Sequence, residues 1–180
     1  MSGHSMRLSI ILCAALLAPG SAVLLGSPQS ARAAGPVWLS IMAKARLARL
    51  TLVAGWQGNN GGLNFNGYAN GRMVVTVPLG WKVQVTFSNQ NPAPHSAEFI
   101  AYRLPVPEGG FTPAFKNASS PNPVEGIDQG HRPQTVTFVA TKIGRYMIVC
   151  GVPGHANGGM WDTFVVSKTA RTAALTSAKG

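Results

Sequence analysis

The segment Tyr146–Trp161, YMIVCGVPGHANGGMW, constrains the fold more than any other stretch of this 180-residue chain. It starts as a strand and breaks at Cys150 into a loop of Gly, Pro and small residues. Cys150, His155 and Met160 follow with four residues between each pair. Taken singly, a strand cysteine is a small buried hydrophobe, a methionine fills a core and a histidine beside glycine sits in a turn. Together, thiolate, imidazole and thioether are the donor set of a copper electron-transfer site. One short loop brings three donors round an ion, so a second imidazole has to come from another part of the fold. His95, in NQNPAPHSAEF, is placed to supply it, since Pro92 and Pro94 fix the backbone just before it. The fold must therefore gather the ends of distant strands at one pole.

The rest of the chain supplies such strands. In Trp81–Asn89, Val83, Val85 and Phe87 alternate with Lys82, Gln84 and Thr86, which predicts a strand packed on one face and wet on the other. Val37–Met42, Leu47–Val53, Arg72–Pro78, Ser96–Tyr102, Gln134–Ala140, Arg145–Cys150 and Met160–Ser167 also read as strands. Short strands separated by Gly/Pro turns argue for an all-β sandwich or barrel. On the period of two, Tyr146, Ile148 and Cys150 share one face, which points the sulfur inward. Ala43–Arg49 holds good helix formers, yet two strands joined by a turn suit the flanking residues better. Trp56–Gly71 has the Gly/Asn composition of turns, with a short strand around Leu63, Phe65 and Asn66. Leu104–Arg132 is Pro- and Gly-rich without periodicity, and an ordered insertion with a short helix is expected. His131, at its end, has no neighbouring donor and reads as a surface histidine. Residues 168–180 are expected to be a disordered basic tail.

The residues CGVPGH-x4-MW, with NGGLNFNG and VPLGWKVQVTFSN upstream, resemble the sulfocyanin family of blue copper proteins from about Leu50 to Val166. The ligand-loop spacing is shared with rusticyanin, and the segment Asn59–Gly67 is what favours sulfocyanin. The resemblance implies a cupredoxin-like Greek-key β-sandwich or barrel over residues 34–167, with an inserted loop region. It implies one copper ion held by the imidazoles of His95 and His155 and the thiolate of Cys150, with Met160 as a long axial contact. Ser96 and Asn89 are expected to tie the two ligand loops together by hydrogen bonds. The family implies a respiratory cytochrome complex or terminal oxidase as redox partner.

Residues 1–33 read as a secretory signal: Arg7, an apolar run from Leu8 to Ala18, and Ala31-Arg32-Ala33 as a small-x-small cleavage site. The alternative is an uncleaved anchor. Either way the chain is expected to be exported, periplasmic or extracytoplasmic. Cys13 falls in this leader, so Cys150 is expected to be free for a metal. The formal charge of +10 becomes +8 without Arg7 and Arg32, and five acidic residues remain. A basic surface without interleaved aromatics suits an acidic redox partner or an anionic membrane surface, not nucleic acid. A monomer is expected. With so few carboxylates, little stability should depend on their ionisation and acid should be tolerated. No nucleophile with an adjacent base or phosphate-cradling loop is visible, so the chain reads as a carrier and not an enzyme. The rival readings are a copper-delivery or storage protein, argued against by the single loop methionine, and a detached domain of a multicopper enzyme. The latter needs more histidines than His95, His131 and His155.

Overall fold

The alternation in Lys82–Asn89 is what the sandwich is built on: Val83, Val85 and Phe87 are fully buried while Lys82 and Thr86 are exposed. The computed structural model describes Met1 and residues 36–178; the leader reading over 1–33 and Cys13 lie outside the described residues. The strands are β1 Leu39–Met42, β2 Leu47–Ala54, β3 Met73–Pro78, β4 Lys82–Asn89, β5 Glu98–Ala101, β6 Gln134–Val139, β7 Gly144–Val149, β8 Trp161–Ser167 and β9 Ala174–Ser177. They form two sheets, ordered β1-β2-β4-β6 and β5-β7-β8-β3-β9. The chain leaves the first sheet after β2, adds β3 to the second and returns as β4. That crossing makes β2 and β4 parallel neighbours, and β3 likewise pairs parallel with β8. The result is the all-β sandwich that the strand pattern argued for, with the cupredoxin-like Greek-key order that the resemblance implied.

One contiguous core lies between the sheets. Leu50, Leu52, Val85 and Phe87 from one face meet Val75, Phe99, Ile148 and Phe164 from the other. Each such side chain contributes about 1.5–3 kcal/mol of burial. Phe99, Phe138 and Phe164 pack edge-on or tilted at 4.7–5.9 Å, and Phe115 stacks on Phe138 at 5.2 Å. Phe115 belongs to the inserted region 104–132, so that loop is anchored through the core.

Three expectations are corrected. The insertion holds no helix among the described residues; it is ordered by isolated bridges such as His95↔Ile127 and Glu98↔Ser119. The short strand expected around Leu63, Phe65 and Asn66 is reduced to the isolated bridges Ala54↔Phe65 and Phe65↔Tyr68, because the preceding 56–62 is a broken 3-10 segment in which Gln57 and Asn60 adopt left-handed backbone angles that keep the chain turning. The tail is not disordered over its described length: β9 pairs antiparallel with β3, Met73↔Ser177 through Thr76↔Ala174. Ala173 is buried and Leu175 packs on the core. The physical reason is that β3 would otherwise present an open edge, and its unpaired backbone groups recruit whatever strand follows β8.

Candidate metal centre

Three strand ends meet at one pole. β4 ends at Asn89, which starts the loop to His95, and β7 ends beside Cys150, opposite the start of β5 (Glu98↔Val149). His95 is held on both backbone sides, donating its N–H to Ile127 O at 3.1 Å and accepting from Ile127 N at 2.7 Å. Gly126 lies so close that a Cβ there would come within 2.8 Å of the His95 backbone. The loop 150–160 closes on itself: Cys150 N donates to Met160 O at 3.2 Å, and Met160 N donates to His155 O at 2.9 Å. Cys150, His155 and Met160 are thereby fixed to one another through the main chain.

His95, Cys150 and His155 bring their donor atoms within 4.8 Å of one another. Nδ1 of His155 lies 3.1 Å from Nδ1 of His95, and Sγ of Cys150 lies 3.5 Å from the first and 3.7 Å from the second. A point equidistant from the three atoms is about 2.0 Å from each, against ~2.0–2.1 Å for a metal–imidazole bond and ~2.3 Å for a metal–thiolate bond. The residues fit a single ion. Met160 is fully buried in the same loop, as are Cys150 and His95, while His155 is half-buried. His131 stays away from the cluster, exposed, with Nδ1 against the Arg132 carbonyl.

Burial sets the protonation of these groups. Desolvation, with repulsion from His155 second, pushes His95 down to about 4, and desolvation also lowers His155. Both imidazoles are neutral donors at neutral pH. Desolvation raises the Cys150 thiol despite the hydrogen bonds from Ser96 that oppose it. The sulfur thus keeps its proton until a cation enters, and metal binding releases that proton.

Ser96 links the two ligand loops. Its N–H points at Cys150 Sγ (3.4 Å), its hydroxyl donates to Pro123 O (2.6 Å) and its oxygen accepts Gly151 N–H (2.8 Å). Asn89 does a different job from the one expected. Its Nδ2 donates to Ala93 O and Ile127 O, both at 2.8 Å, and its Oδ1 accepts Asn91 N–H. It braces the His95 loop against the insertion and makes no hydrogen bond to the Cys150 loop.

Sequence reasoning missed a clamp behind Met160. Asn60 Nδ2 donates to Leu63 O (2.8 Å) and to Gly158 O (3.2 Å). Asn70 N donates to Gly159 O and Gly71 N to Trp161 O, each at 2.9 Å. The Asn/Gly composition of 59–71 was a signal for turns, but not for where those turns dock. Glu98 was missed too: it is buried, and a side chain at Gly151 would run into its carboxylate.

Among solved structures, a methionine-to-glutamine mutant of rusticyanin matches with a TM-score of 0.50 and 21% identity, over 68% of this chain and 78% of that one. Auracyanin A, a "blue" copper protein from Chloroflexus aurantiacus, matches at 23% identity and a TM-score of 0.47, over 67% and 99% of the two chains. Sulfocyanin of Sulfolobus acidocaldarius is 34% identical over 125 residues, 66% of this chain. The chain spans 62% of that relative's length. The model of the sulfocyanin (SoxE) domain matches residues 34–176. This chain belongs to the sulfocyanin domain family.

Proposed function

We propose that the chain carries single electrons on one copper ion held by His95, Cys150 and His155, with Met160 as the axial donor. The observation that supports this best is the donor triangle, with two neutral imidazole nitrogens and one buried sulfur converging on a common point. Bound copper would supply a Cu(I)/Cu(II) couple, and soft trigonal donors suit both states. The chain's part is to hold the donors still. The His95–Ile127 pairing, the Ser96 bridge and the closed loop 150–160 leave little room for rearrangement between states. Four protein donors leave no open position for substrate, which favours a carrier over an enzyme. Complete burial of Cys150 argues against an exchangeable delivery or storage site. The half-buried ring of His155 is the port, because its outer edge faces the surface while the sulfur is covered. Exported or membrane-bound redox proteins, such as a cytochrome complex or a terminal oxidase, are the partners of such a carrier, consistent with the signal reading of residues 1–33.

The test is copper titration followed by visible and spin-resonance spectra. One equivalent should give an intense thiolate-to-copper band, and Cys150→Ser should abolish it while the far-ultraviolet dichroism of the fold persists. A serine variant that stays coloured would end the proposal.

A further inference from the structure

The pole opposite the donors has its own chemistry. Four turns meet there: 43–46, 79–81, 140–144 and 168–173. Lys82 N donates to Arg46 O (2.9 Å), Gly80 N to Ala140 O (2.8 Å) and Leu79 N to Ser167 O (3.0 Å). These turns and the first residue of β4 carry Lys44, Arg46, Lys82, Lys142, Lys168 and Arg171, all exposed. Between them stand exposed apolar side chains: Met42, Leu79, Val139 and Ile143. No acidic residue shares this pole. Glu98 and Asp162 are buried. The three exposed acids flank the donor pole instead. Glu108 O accepts Gly154 N–H, Glu125 precedes the glycine packed on His95, and Asp128 follows Ile127.

We propose that this basic, apolar-studded pole docks on an anionic lipid surface. Cations alone would suit any polyanion. The interleaved Met42, Leu79, Val139 and Ile143 favour a membrane interface, where apolar side chains enter the headgroup boundary while lysines and arginines meet lipid phosphates. An acidic protein is the competing occupant, and the vesicle and polyglutamate arms of the test separate the two. Docked this way, the half-buried His155 edge faces away from the lipid and stays open to a redox partner.

Sedimentation of the full chain with vesicles tests this, using neutral phosphatidylcholine and mixtures with anionic phosphatidylglycerol. Binding should require the anionic lipid and weaken as salt is raised. Each cation at an anionic surface strengthens partitioning about fivefold. The triple variant Lys82→Gln, Lys142→Gln, Lys168→Gln should therefore lose about a hundredfold. A charge-matched control, Arg49→Gln, Arg72→Gln, Arg132→Gln, removes exposed cations that lie outside these turns and should lose less. Leu79→Ser with Ile143→Ser should weaken vesicle binding but not binding to soluble polyglutamate. Equal losses in the two triple variants would reduce the effect to net charge and overturn the proposal. Equal binding to neutral vesicles, or no vesicle binding at low salt, would overturn it as well. Polyglutamate binding that needs the same lysines without any vesicle binding would assign the pole to an acidic protein instead.

Discussion

Raising the pH from 6.5 to 8 should destabilise this protein, opposite to the trend of a protein whose carboxylates are paired. Glu98 and Asp162 are buried in the sandwich without a cationic partner, and desolvation pushes them up to about 7 and about 8. Glu98 has a hydrogen bond with Ser119 that partly opposes this, and Asp162 accepts the Met73 N–H at 2.8 Å. In the unfolded chain both ionise near pH 4. Between those values the folded state binds more protons than the unfolded state, so stability falls as pH rises. The contribution is complete below about pH 4 and gone above about pH 8. His95, lowered to about 4, and His155, lowered by the same desolvation, act in the opposite sense, chiefly below their unfolded value near 6.5. The interval from 6.5 to 8 is therefore dominated by the acids, with a smaller opposing contribution from the two histidines. At 1.36 kcal/mol per pKa unit, Asp162 should account for about 2 kcal/mol across it and Glu98 for less than 1 kcal/mol. Urea unfolding of the metal-free chain, followed by tryptophan fluorescence at the two pH values, measures the difference. Asp162→Asn keeps an acceptor for Met73 N–H and removes the titration, so most of the slope should vanish. A stability that stays level or rises between pH 6.5 and 8, or a slope unchanged in Asp162→Asn, would refute the reasoning.

His95→Ala should leave a copper site open to water or added imidazole, read by spin resonance, whereas His131→Ala should leave the spectrum unchanged; the reverse pattern would overturn the ligand assignment. Met160→Gln offers a harder oxygen that favours Cu(II) and should lower the reduction potential, while Met160→Leu should raise it. Voltammetry giving three equal potentials would make Met160 a packing residue. Asn60→Ala, which removes the bonds to Leu63 O and Gly158 O, should cost about 1 kcal/mol and shift the copper spectrum through Met160; an unchanged spectrum would make the clamp merely structural.

What the sequence made legible is local and periodic. The alternation in β4 and the inward sulfur of Cys150 follow from spacing alone, whereas the two strands around the turn at 43–45 follow from the residues that flank it, against the helix formers within. The meeting of His95 with the Cys150 loop was legible because thiolate, imidazole and thioether in one loop demand a further donor. The clamp was not, because Asn60 and Gly158 are 98 residues apart and no periodicity connects them. Nor was β9, since its place is decided by the open edge of β3 and not by its own Ala, Leu, Thr and Ser. Glu98 and Asp162 stand in strands where a carboxylate reads as an ordinary wet-face residue. Only the packing of β5 against β7 and of β8 against β3 reveals that both are inside.

That burial changes what the small number of acids means. From the count alone, few carboxylates implied that stability would hardly depend on their ionisation. The structure overturns this, because two of the five are buried and favour the folded state when protonated. Acidification still adds little surface charge. Of the five acids, only Glu108, Glu125 and Asp128 are exposed, so lowering the pH neutralises few surface anions and self-repulsion grows slowly. Glu98 and Asp162 meanwhile become neutral where their environment prefers them neutral. Acidification from pH 8 to about 6.5 is therefore stabilising for a different reason from scarcity of carboxylates: the buried ones are destabilising as anions, and it is chiefly below that range that the lowered His95 and His155 act against the gain.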